Sequence, residues 1–264
     1  MIDRNDLLTA LNNIAPESIQ ESWDNCGLQI DVGRQAYNKI LVCLEITRDV
    51  INEAIEKGAE IIVTHHPLYF RETKNVLRGK IPGDYTIDLI KHDIAVYSSH
   101  TCFDKVNGGN NTELCRMLGL ENVEKMYEGP GENDYVGYMG IIPDVWSVNE
   151  LAVRVKDALG LDDGEVRYTG DMYSFIMKIA VCTGSGADLL MLAKSYGCDA
   201  LVTGDVKYHD AQTAKELGIA LIDAGHYGTE IQFAENMAEK LRSQIGMQAE
   251  VVVSDTNINP FSII

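Results

Sequence analysis

Two stretches of the chain share one pattern of apolar and polar positions. Residues 39–69 read KILVCLEITRDVINEAIEKGAEIIVTHHPLY, and residues 178–208 read KIAVCTGSGADLLMLAKSYGCDALVTGDVKY. At a constant offset of 139, ten pairs are identical: Lys39/Lys178, Ile40/Ile179, Val42/Val181, Cys43/Cys182, Asp49/Asp188, Ala54/Ala193, Gly58/Gly197, Val63/Val202, Thr64/Thr203 and Tyr69/Tyr208. In each stretch an apolar run of strand length, 40–44 or 179–182, precedes apolar positions at helical spacing. These are Val50, Ile51, Ala54 and Ile55 in the first, and Leu189, Leu190, Leu192 and Ala193 in the second. Gly58 or Gly197 then ends the helix as a left-handed residue would. A second strand closes at Thr64 or Thr203. A third apolar run follows in each: 94–97 leads to His100, and 219–222 leads to His226.

Continuous apolar strands joined by helices favour a largely parallel sheet covered on both faces. The expected fold class is therefore α/β: two related α/β domains from an internal duplication, each a largely parallel or mixed sheet flanked by helices. A Gly- and Pro-containing segment, 127–133, has the composition of a boundary. It divides the chain into a first domain, 1–126 with 227–264, carrying the histidine pair, and a second, 127–226, with a metal site between them. Asp3 is expected to cap a first helix through Leu7, Leu8, Leu11 and Ile14. A helix is expected at 151–159, another from Tyr227 to Ile245, and a strand at 249–253.

The 264 residues are 45% apolar, enough for a sizeable core. The formal net charge of −18, with a pI near 4.6, disfavours nucleic acid or an anionic membrane as the main partner. A small anionic substrate stays open, because a metal inverts the sign of a pocket. The six cysteines form no CxxC pair and read as reduced core thiols. With no signal-like start and no apolar stretch of spanning length, a soluble cytoplasmic protein is expected.

The chemistry concentrates at the ends of the apolar strands, where parallel α/β sheets collect ligands. His65 and His66 close the run 61–64 and stand before Pro67. Successive side chains on a strand point to opposite faces, so the pair must sit where the strand breaks. Asp104 follows His100 by four residues, and Glu230 follows His226 by four, which on a helix places both on one face. His65, His66, Asp104, His226 and Glu230 together offer three nitrogens and two carboxylates. Two ions sharing a carboxylate would keep positions open for water, as in a dinuclear hydrolytic centre. Zinc, manganese, iron, cobalt and nickel all accept such mixed donors. His100 and His209 are candidate proton carriers, and Asp205 a candidate neighbour of the metals. Segment 182–188 offers free amides to an anion such as phosphate, or is simply a tight strand–helix turn.

The motifs Trp23-Asp24-Asn25-Cys26-Gly27-Leu28, Thr64-His65-His66-Pro67, Ser99-His100-Thr101-Cys102-Phe103-Asp104, Thr203-Gly204-Asp205-Val206-Lys207-Tyr208-His209, Gly225-His226-Tyr227-Gly228-Thr229-Glu230 and Asn259-Pro260-Phe261 resemble, in this order, the Nif-three-like family of GTP cyclohydrolase 1 type 2 homologs. The resemblance implies two related α/β domains and two divalent ions per subunit. The ligands would be His65, His66, Asp104, His226 and Glu230, with Glu230 the bridge. It also implies a homohexamer and, through the family's label, a nucleotide or related small-molecule substrate opened by hydrolysis. The other class of function is a non-enzymatic metal-binding or regulatory protein acting through a protein partner.

Overall fold

The structure is a computed structural model that describes residues 1–263. It divides into two compact units. The first comprises Met1–Val106 and Phe233–Pro260; the second comprises Asn107–Gln232 with the chain end from Phe261.

The first unit holds a five-stranded mixed sheet in the order Glu250–Val253, Lys39–Cys43, Ile61–Thr64, Ala95–Ser98, Gly27–Ile30. The first four strands run parallel and the last is antiparallel to its neighbour. The three central strands are buried along nearly their whole length, as expected of strands covered on both faces. One face carries the helix Arg48–Lys57, whose Val50, Ile51 and Ala54 pack with Leu41, Ile62, Leu89 and Val96. Thr47 caps that helix, accepting from the Val50 amide, and Gly58 ends it at φ 68°. The helices Arg4–Ile14 and Phe233–Ile245 pack on each other, and the second of them lies against Lys39–Cys43 and Glu250–Val253. Asp3 caps the first helix by accepting from the Asn5 amide.

The second unit holds a six-stranded mixed sheet in the order Glu121–Tyr127, Tyr135–Ser147, Phe175–Ser185, Ala200–Gly204, Ala220–Asp223, Arg167–Thr169. Only Phe175–Ser185, Ala200–Gly204 and Ala220–Asp223 are mutually parallel. The helix Val148–Leu159 starts at a capping box, Ser147 with Glu150, and buries Leu151 and Val155 among Tyr138, Ile179 and Val202.

The Gly- and Pro-containing segment 127–133 is not the boundary. It is the turn between Glu121–Tyr127 and Tyr135–Ser147, closed by Asp134, whose carboxylate accepts from the Gly131 amide at 2.6 Å. The units meet along the chain at Val106/Asn107, because Glu121–Tyr127 belongs to the second sheet and the helix Asn110–Met117 buries Leu114 and Cys115 in that unit's core. The return falls at Gln232/Phe233, not before Tyr227. The expected single helix from Tyr227 is two helices, His226–Glu230 and Phe233–Ile245, interrupted as the chain changes unit. All six cysteines are free thiols. Among the described residues, no helix is long and apolar enough to cross a membrane.

Candidate metal centre

In the first unit, the amides of His65 and His66 both donate to the Leu44 carbonyl, at 3.1 and 3.0 Å. Two successive amides aimed at one acceptor end the alternation of the strand. The two rings then lie on the same side, with centroids 5.2 Å apart and planes 40° from parallel. His65 is fully buried, its ring against Phe233 at 4.8 Å. Its Nδ1 donates to the Ser99 carbonyl at 2.9 Å, which puts a hydrogen there and directs Nε2 away from the carbonyl. That Nε2 lies 3.6 Å from Asp104 Oδ1. His66 Nδ1 lies 3.5 Å from Glu45 Oε2 at the end of the neighbouring strand.

His100 joins this group. Its Nδ1 donates to Asp24 Oδ1 at 2.8 Å, and its ring centroid is 5.0 Å from that of His65 and 5.7 Å from that of His66. One ring nitrogen from each of His65, His66 and His100 lies within 4.8 Å of the others. The Asp24 side chain is fully buried, and it accepts from the Asn25 amide, the Thr101 amide and the Thr101 hydroxyl as well. Burial alone would push this carboxyl up. The hydrogen bonds and charge of His100 and the Thr101 and Asn25 donors outweigh it, holding Asp24 well below the usual carboxylate range. Beside it, a hydrogen bond with Cys102, and then burial, hold the Cys26 thiol protonated far above its usual range. Cys26 Sγ accepts from the His100 amide at 3.3 Å, a structural contact for a neutral thiol.

In the second unit, His226 opens the helix His226–Glu230 after Gly225 at φ 73°, so the four-residue spacing is helical. His226 Nδ1 lies 2.7 Å from Asp205 Oδ2, and its Nε2 lies 3.1 Å from Glu230 Oε2. Glu230 is buried. Asp205 holds a left-handed φ of 54° directly after Ala200–Gly204, which turns its carboxylate toward the ring. His209 stands exposed in the first turn of the helix Tyr208–Leu217, its ring against Tyr208, outside this His226–Asp205–Glu230 chain.

The amides of segment 182–188 are largely taken. Thr183 donates to Asn111 Oδ1, Gly184 to Thr229 Oγ1 and Gly186 to Thr203 Oγ1, each within 2.9 Å. The segment is therefore no phosphate cradle; its glycines serve close approach. A Cβ on Gly184 would stand 2.3 Å from Glu230 Oε1 and 3.4 Å from His226 Nε2. One on Gly186 would stand 2.6 Å from Cys182 Sγ.

Each unit thus presents lone-pair nitrogens to carboxylates. In a neutral His65, Nε2 and Asp104 Oδ1 are both acceptors, and two acceptors at such range repel. A cation between them turns that repulsion into attraction, whereas a wholly buried imidazolium carries a large desolvation cost. At His226 both ring nitrogens face carboxylates. These donor sets suit a divalent ion of the nitrogen-and-oxygen class. The carboxylate and carbonyl that fix Nδ1 of His226, His100 and His65 are the outer partners that ligating histidines require.

A family profile described as Duf34/NIF3 (NGG1p interacting factor 3) matches residues 2–260. The chain belongs to the Duf34/NIF3 family. A Clostridium perfringens protein named GTP cyclohydrolase 1 type 2 homolog is 36% identical over 261 residues, 98% of this chain and 99% of that one. A Helicobacter pylori protein named GTP cyclohydrolase 1 type 2 is 38% identical over 240 residues, covering 90% of this chain and 91% of its own. The NIF3 fold recurs in a solved Bacillus cereus protein related to NIF3, with TM-score 0.90, 21% identity and 99% of each chain covered.

Nothing in the sequence assigns Asp24 to His100 or Glu45 to His66. Asp24 is 76 residues from its partner His100, and no local spacing announces such a pair. Glu45 carried a positional signal, as the second residue past the strand Lys39–Cys43 on the edge where ligands gather.

Proposed function

We propose that the chain is a metal-dependent hydrolase acting on a nucleotide or a related small molecule. Two divalent ions would be held by His65, His66 and Asp104 of the first unit and by His226 and Glu230 of the second, and would supply an activated water. The observation that carries this reading is the gathering of ring nitrogens and carboxylates: buried His65 Nε2 toward Asp104, and His226 with a carboxylate at each ring nitrogen, Asp205 and Glu230. The substrate class comes from relatives named GTP cyclohydrolase 1 type 2.

Bound ions would lower the pKa of a water toward neutrality and polarise the scissile group. The chain's own residues do the rest. Ser99 and Asp205 hold Nδ1 of His65 and His226, so each ring turns Nε2 inward. Asp24 holds Nδ1 of His100, which leaves Nε2 of that ring to carry a proton to or from the reacting group. His209 is the second candidate carrier on the other unit. Phe233 closes the apolar side of His65 and keeps water off it.

A second reading, a metal-dependent regulator working through a protein partner, draws on the family description as an interacting factor. We also read the two strand–helix–strand stretches as copies of one ancestral unit in a homohexameric, cytoplasmic protein. The duplication is supported by pairing in one register, Ile40 opposite Ile61 and Ile179 opposite Ala200, at the same offset of 139 as the identities. The deciding experiment is hydrolysis of nucleotides and phosphoesters by metal-loaded protein beside His65→Ala and Glu230→Ala. Turnover is expected only in the metal-loaded wild type. Equal turnover after chelation, or none on any substrate, overturns the reading.

A further inference from the structure

Trp23 and Phe70 are large aromatic side chains left 57% and 48% exposed, in a chain whose other tryptophan, Trp146, is buried. Their ring centroids are 5.7 Å apart, and each is 6.1 Å from the ring of His100. They line an open cleft of about 590 Å³ together with Asn25, Tyr69 and Arg71. The Asn25 side-chain amide donates to the Tyr69 carbonyl at 2.7 Å, tying the two loops that carry Trp23 and Phe70. Among the described residues Arg71 makes no ion pair, although acidic groups outnumber basic ones 40 to 22.

Exposed aromatic faces beside an unpaired guanidinium match a ligand that is flat at one end and anionic at the other. Stacking on an aromatic side chain is tolerant of base identity, and a guanidinium grips phosphate oxygens in a fork. Glu72 also lines the cleft, which leaves Arg71 the group suited to phosphate and disfavours a polyanionic polymer. We propose that Trp23 and Phe70, with planes 60° apart, form an aromatic corner that takes the base of a nucleoside-phosphate subsite, one ring on its face and the other at its edge, with Arg71 its phosphate contact, beside the proton-carrying edge of His100. Trp23 and Arg71 set substrate class here and are not catalytic. The proposal takes the nucleotide-hydrolase reading above as its premise, yet its test does not need turnover.

The probes are guanosine 5′-monophosphate, guanosine and ribose 5-phosphate, titrated into the full-length protein before and after chelation. Trp23 emission should be quenched saturably by the nucleotide and the nucleoside and not by ribose 5-phosphate. In equilibrium dialysis, Trp23→Leu and Phe70→Leu should each weaken nucleotide binding about tenfold. Arg71→Gln should weaken the nucleotide and leave guanosine unchanged. Metal content should match wild type in all three variants, and circular dichroism should show the same fold. Nucleotide binding by Trp23→Leu as tight as wild type overturns the subsite. So does equal competition by ribose 5-phosphate, or a Trp23→Leu effect confined to the oligomeric state. If quenching persists in chelated protein that hydrolyses nothing, the subsite stands and the hydrolase reading falls; if metal-loaded protein turns over substrate without quenching, the reverse holds.

Discussion

The carboxyl ends of the two parallel three-strand cores solve one problem with different residues. Where the first unit follows Ile61–Thr64 with two imidazoles, the second follows Ala200–Gly204 with Asp205. Where the third strand ends, both present a histidine whose Nδ1 faces a carboxylate: His100 with Asp24 and His226 with Asp205, at 2.8 and 2.7 Å. The difference is burial. The Asp24 side chain is wholly enclosed and fed by several donors, whereas that of Asp205 is half exposed. Ring nitrogens concentrate in the first unit, and orientation by a solvent-facing carboxylate in the second. The same backbone frame therefore accepts either chemistry, and burial decides how firmly each histidine is held.

The largest expected effect comes from removing a proposed ligand. His65→Ala and Glu230→Ala should each lose bound metal, read by elemental analysis, while circular dichroism stays native. Retention of full metal content in either variant would break the contrast between a nitrogen-rich and a carboxylate-bearing half. Gly184→Ala comes next. It combines a left-handed position, costing roughly 1–2 kcal/mol, with a Cβ driven into Glu230. Metal affinity should fall with stability. Gly197→Ala, at φ 72° with nothing within 4 Å of its Cβ, should cost only the backbone amount and leave metal untouched.

Asp24→Asn should destabilise by roughly 1–3 kcal/mol in denaturant unfolding, because it strips a buried acceptor from His100 and Thr101. Asp205→Asn should cost under about 1 kcal/mol, as befits a half-exposed pair. Equal losses would remove burial as the explanation. The smallest effect is in pH. Asp24 has a depressed folded-state pKa, so its stabilisation is present above the unfolded value near 3.9 and fades as pH falls toward the folded value. The gap between wild type and Asp24→Asn in urea midpoints should be constant from pH 7 to about pH 5 and narrow below pH 4. A gap that widens in acid would contradict the sign.

Local signals were legible where the cause was local. The apolar runs placed the central strands to within a residue or a few, and Gly58 and Gly197 marked helix ends because their left-handed φ favours glycine. The Asp3 cap and the helical spacing of His226 and Glu230 were likewise written in neighbouring residues. Segment 127–133 is a hairpin turn where its composition suggests a boundary, because Gly and Pro announce a turn without saying whether strands pair across it. The break between His226–Glu230 and Phe233–Ile245 carries no Gly or Pro; it arises where the chain changes unit. Gly184 reads equally as part of an anion loop or of a tight turn, because sequence shows the absent side chain and not the Glu230 carboxylate that fills its place.

The first unit is discontinuous in the chain, and its edge strand Glu250–Val253 pairs in parallel with Lys39–Cys43. On the ribosome, every strand of the second sheet is made while the first unit still lacks a border strand and the phenylalanine that walls in His65. The open backbone edge of the apolar strand Lys39–Cys43 waits through most of synthesis for its partner, an interval in which its N–H and C=O groups are open to pairing with a neighbouring nascent chain. A stop a few dozen residues early would leave every strand of the second sheet in place and strip the first of its border strand.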